Sequence, residues 1–89
     1  MGRISAFSGM VLYMYPEKNG AHKKPHLHAI YGDDECVLSL PDGEVLAGSL
    51  PMRQLRNVQT FIDMRTKELM LNWDLCMQNK AVVWVDPIR

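Results

Sequence analysis

The apolar period of the chain changes at Pro51, and this change limits the fold more than any other feature of its 89 residues. Beyond Pro51, Leu55, Val58, Ile62, Leu69, Trp73 and Cys76 recur three or four apart or at multiples of that spacing, the signature of one helical face. Pro51 suits a place near the first helical position, where its missing N–H costs nothing. An unbroken helix from Pro51 to Asn79 would be about 43 Å long, against a radius of gyration of about 12 Å for a compact chain of this size. A bend or a two-helix break is therefore expected at Met64-Arg65-Thr66, with Thr66 as the N-cap of the second helix and Glu68 in its first turn.

Before Pro51, from Ile4 to Gly48, short apolar runs are cut by turn residues, which predicts a β-meander. Met10–Tyr15 and His26–Tyr31 read as strands, and Glu35–Leu40 alternates Cys36, Leu38 and Leu40 against Glu35, Val37 and Ser39. Asp42-Gly43 carries the chemistry of a type I′ hairpin, with Val45–Ala47 returning alongside. Val82-Val83-Trp84-Val85, closed by Pro87, predicts a final strand joining the sheet. The expectation is a single α+β domain over residues 1–89. It consists of a small antiparallel β-meander packed against one bent helix or a two-helix segment, with a C-terminal strand.

Ten basic residues balance ten acidic ones, so overall basicity gives no argument for nucleic-acid binding, and only a local patch could serve. No apolar run approaches the roughly 18 residues a membrane span needs, and the opening residues lack an apolar signal core, so the expected location is the cytoplasm and no membrane is expected. Cys36 and Cys76 are far apart and outside any CxxC pattern, which reads as two small buried hydrophobes. Trp73 and Trp84 read as core anchors, and the methionines as core filler or an adaptable surface. Arg53, Arg56, Arg65 and Lys67 read as a solvated face, since acids are interspersed among them. A chain this short buries a modest fraction of its surface, so association with another protein or with a second copy is an expectation.

All three histidines fall within His22-Lys23-Lys24-Pro25-His26-Leu27-His28. Pro25 imposes an extended backbone before it, and His26 and His28 share a face of a strand roughly 6.5–7 Å apart. Three readings stay open. His22, His26 and His28 are candidate ligands for a divalent metal such as zinc, with the Asp33/Asp34/Glu35 turn offering carboxylates. Alternatively His26 and His28 are candidate catalytic acid and base in RNA cleavage, with Lys18, Lys23 and Lys24 holding phosphate and Tyr13 or Tyr15 stacking a base. The third reading is a purely structural or interfacial polar segment. The two imidazoles are expected to be exposed, because the helices must cover one sheet face and Leu27/Ala29 is the more apolar choice. A cupin is excluded: Leu40 stands where its first motif needs glycine, and a second motif is missing.

Gly9-Met10-Val11-Leu12-Tyr13-Met14-Tyr15, Pro25-His26-Leu27-His28 with Tyr31, Gly43-Glu44-Val45-Leu46-Ala47-Gly48-Ser49-Leu50-Pro51 and Asn72-Trp73 together resemble the bacterial domain-of-unknown-function family DUF4160. His22, His26 and His28 match its histidine positions. Lys24 and Leu27 stand where it usually has proline and phenylalanine, and Ala21 where an acidic residue is common. The resemblance implies a small bacterial α+β protein, often encoded beside a second small protein in toxin–antitoxin-like pairs. A protein partner from a neighbouring gene is expected on that ground, with RNA as the candidate ligand. A zinc-type metal-binding domain and a non-catalytic interaction module are the alternatives.

Overall fold

Alternation of apolar and polar residues builds five strands that pair in simple chain order, each antiparallel to the next. The computed structural model describes residues 2–15 and 24–87. The strands are β1 (Gly2–Phe7), β2 (Met10–Met14), β3 (His26–Tyr31), β4 (Asp34–Ser39) and β5 (Val45–Gly48), followed by α1 (Met52–Met64) and α2 (Thr66–Met77). The α+β meander with two helices is therefore the architecture, and its longest dimension is 33 Å, too short for one unbroken helix.

The turns explain the register. Phe7 pairs with Met10, and both residues between them, Ser8 and Gly9, have positive φ, the requirement of a type I′ hairpin. This turn creates β1, for which alternation alone gives no clear signal. Tyr31 pairs with Asp34 around Gly32, whose φ is also positive. Asp42-Gly43 differs from the expected type I′ turn, since of the two only Gly43 has positive φ. The connection instead spans residues 40–43, with a cis Leu40–Pro41 bond. The Ser39 hydroxyl donates to the Asp42 carboxylate and accepts from the Glu44 N–H, and the Gly43 N–H donates to the Ser39 carbonyl. That hydroxyl contact holds the Asp42 carboxyl below the usual range.

One side of the sheet joins Leu12, Leu27, Ala29, Cys36 and Leu38 to Val58, Phe61 and Ile62 of α1 and Leu69, Trp73 and Cys76 of α2 in a single core. Phe7 packs on Phe61 with ring centroids 4.9 Å apart. The helices break at Arg65, between α1 and α2, as their length requires. Thr66 is not the N-cap, however. It is the first residue of α2, and its hydroxyl donates back to the Ile62 carbonyl at 2.8 Å. Glu68 does occupy the first turn.

The C-terminal segment is a correction to the expected final strand. Residues 80–87 form neither strand nor helix. Val85 N–H donates to the Ile4 carbonyl on β1, but the Val85 carbonyl accepts from the Ser5 hydroxyl instead. Fully buried Asn72 takes both backbone groups of Val83, donating to its carbonyl at 2.9 Å and accepting from its N–H at 2.7 Å. Side chains thus claim the groups a ladder would use. Trp84 is 53% exposed, so of the two tryptophans only Trp73 is a core anchor.

Asn72→Ala should lower the unfolding free energy by about 1–3 kcal/mol in denaturant titration, since both Val83 groups lose their partner. Trp73→Ala should cost about 3–5 kcal/mol, and Trp84→Ala far less. Burial raises the thiols of Cys36 and Cys76 above their ordinary value. A thiol-reactive probe at neutral pH should therefore label them at the unfolding rate, and any stability they lend should be lost as pH rises through their raised folded values.

Candidate functional site

β3 lies between β2 and β4, and its register decides what surrounds the histidines. His28 stands opposite Tyr13 on β2 and Val37 on β4, while His26 stands opposite Ser39. Leu27 and Ala29 face the core on the other side, as expected. The imidazoles, expected to be exposed, are instead buried, with His26 at 1% and His28 at 5% exposure. Aromatic rings cover part of both. The His26 ring lies 5.0 Å from Trp73 of α2, and Tyr15, just past β2, stacks on His28 at 4.4 Å with the planes 19° apart.

Buried imidazoles need hydrogen-bond partners, and the partners fix their chemistry. His26 Nδ1 lies 2.7 Å from the Lys24 carbonyl, which can only accept, so Nδ1 carries the proton. His28 Nδ1 lies 3.0 Å from Oε2 of Glu35, and the carboxylate likewise requires a proton on Nδ1. The Tyr15 hydroxyl is 3.3 Å from the same nitrogen. In the neutral form both rings therefore carry their lone pair on Nε2. The two rings meet edge to face, with centroids 5.4 Å apart. Glu35 is half exposed and joins this buried group to the surface.

Glu35 is itself held from β5. Ser49 N–H donates to its carbonyl at 3.1 Å, and Gly48 next to it has a φ of +74°. A Cβ at position 48 would collide with that same carbonyl oxygen. The glycine before Ser49-Leu50-Pro51 thus permits the close approach that sets the Glu35 backbone.

Sequence reading missed the contact between Glu35 and His28, although a signal was present. The turn at Gly32-Asp33 pairs Ile30 with Glu35, which makes Glu35 the diagonal same-face neighbour of His28. Trp73 behind His26 had no comparable signal. Tyr13 lies half-buried opposite His28. Lys24 is exposed, 3.9 Å from Glu44. Asp33 in the turn and Asp34 at the start of β4 are both exposed. His22, Lys18 and Lys23 lie outside the described residues. Among the described residues no three His, Cys, Asp or Glu side chains are grouped to hold a metal ion.

Residues 9–74 match the family model described as a domain of unknown function, DUF4160. The chain belongs to the DUF4160 family. The matched span holds Tyr15, His26, His28, Glu35, Gly48 and Trp73, the residues that build the buried group, whereas all of β1, the last residues of α2 and the segment after it lie outside it. No curated protein and no solved structure matches this DUF4160 chain. No helix among the described residues is long and apolar enough to cross a membrane.

Gly48→Ala should destabilise the protein more than Gly32→Ala and should shift the His28 ring signals in an NMR spectrum. Both positions have positive φ, which costs an L-residue about 1–2 kcal/mol. Only position 48 adds a clash with the Glu35 backbone, since nothing lies within 4 Å of a Cβ at Gly32.

Proposed function

We propose that this protein is the small cytoplasmic member of a bacterial toxin–antitoxin-like gene pair, that it works through a protein partner, and that the face carrying His26 and His28 is its RNA-binding or RNA-cleaving site. The observation that carries the reading is the His28–Glu35 contact at 3.0 Å beside a second, independently anchored imidazole. A solvated polar loop would leave such rings to water. Here both are buried and held in one tautomer, which is the preorganisation that acid–base chemistry needs.

The chemistry suited to such a pair is transesterification of RNA. His26 Nε2 is enclosed, so an RNA would have to displace part of the cover over the rings before one Nε2 takes the proton of a ribose 2′-hydroxyl as its oxygen attacks phosphorus. A protonated imidazole gives its proton to the departing 5′-oxygen as the P–O5′ bond breaks, leaving a 2′,3′-cyclic phosphate. Glu35 would orient the His28 ring through its contact with Nδ1. Lys24 is the exposed cation nearest in sequence for a phosphate, and Tyr13 the half-buried ring opposite His28 for a base.

The same two Nδ1 contacts support a second reading, because metal-binding histidines are oriented by an acceptor on the far nitrogen. Native mass spectrometry of untagged protein separates the two. A stoichiometric metal adduct that disappears in the His26→Ala/His28→Ala variant would favour the metal-binding domain.

For the leading reading, His28→Ala and His26→Ala are expected to reduce cleavage of a single-stranded RNA, alone or with the partner present, by about 100-fold or more. Glu35→Gln should reduce it less, and circular dichroism should show all three variants folded. Unchanged RNA binding and cleavage in the folded variants would remove RNA from the function of this site.

A further inference from the structure

A cavity of about 300 Å³ lies between β1, β2 and the chain leaving α2. Its apolar lining comes from Met14, Cys76 and Val82, and its polar lining from Arg3, Asn79 and Lys80. None of the described residues that line it is acidic. Arg3 and Lys80 make no ion pair among the described residues.

Two features make this more than a packing gap. The volume is at the lower end of what small-molecule sites occupy. The lining also combines one sign of charge with an apolar wall, so an occupant that neutralised the cations would also bury a short apolar chain. Asn79 adds an amide at a backbone position with a φ of +58°, where the chain turns out of α2. Lys80 follows directly, its N–H donating to the Leu75 carbonyl at 2.9 Å, so the turn that ends the helix also sets this wall. Val82 forms the wall nearest β1, packed so closely on Gly2 that a Cβ there would overlap it.

We infer that this cavity is a binding site for a small amphipathic monoanion, a carboxylate on a short aliphatic chain, with Arg3 and Lys80 facing the carboxylate and Met14, Cys76 and Val82 the chain. The inference is independent of the histidine site and stands whether or not that face contacts RNA.

Titration calorimetry of the full chain with hexanoate and with acetate as probes tests it. Hexanoate should bind saturably and on the order of tenfold or more tighter than acetate, because its extra methylenes leave water. Lys80→Gln and Arg3→Gln should each weaken hexanoate roughly twofold to fivefold, the range for a solvent-accessible charge contact. Lys24→Gln, on the other part of the fold, should leave it unchanged. Both lining positions are on the surface, so the variants should fold, as their melting curves would confirm. Absence of saturable hexanoate binding, equal affinity for acetate, or equal weakening by Lys24→Gln would each overturn the inference.

Discussion

Two imidazoles buried on the central part of a five-stranded sheet impose the condition that the rest of the site satisfies. A polar ring taken out of water without a partner costs several kilocalories per mole, so its neighbours have to supply hydrogen bonds. For His26 the partner is the backbone carbonyl of Lys24, two residues before it. For His28 it is a side chain from the adjoining strand, Glu35. Both partners engage Nδ1, and the consistency of that choice gives the pair a defined chemical polarity.

The remaining architecture can be followed outward from that pair. The short turn at Gly32 sets the β3–β4 register and brings Glu35 diagonally across from His28. β5 then returns along β4, and Gly48 lets its backbone come close enough for Ser49 to hold the Glu35 carbonyl. Pro51 starts α1 immediately afterwards, and the break at Arg65 turns α2 back so that Trp73 reaches His26. The neighbouring residue Asn72 fastens the C-terminal segment through Val83. Segments that look unrelated along the chain, from Pro25-His26-Leu27-His28 to Asn72-Trp73, therefore meet around one group of rings.

Much of the fold was legible because it depends on period and length. The alternation in Glu35–Leu40, the 3–4 spacing after Pro51 and the excess length of one helix led to the meander and to the break at Arg65. Less legible were features decided by competition for hydrogen bonds. Val82–Val85 has the composition of a strand, yet Asn72 and Ser5 take backbone groups that a sheet partner would need. Asp42-Gly43 has the composition of a type I′ turn, yet Asp42 is engaged by the Ser39 hydroxyl. Thr66 could have capped α2, but its hydroxyl bonds back to α1. The histidine face was misjudged for a related reason. Assigning the helices to the Leu27/Ala29 face alone leaves out Trp73 of α2, which also reaches His26, and Tyr15 stacked on His28, and neither contact follows from periodicity.

Nδ1 protonation of both histidines is the central claim, because the proposed chemistry and the metal alternative each need Nε2 as the working nitrogen. Long-range ¹H–¹⁵N correlation spectroscopy of the imidazoles at neutral pH tests it most directly. The account predicts that Nδ1 of His26 and of His28 is protonated, with His28 changing its pattern when Glu35 is replaced by glutamine. Rings protonated only on Nε2, or a His28 pattern indifferent to Glu35→Gln, would contradict it.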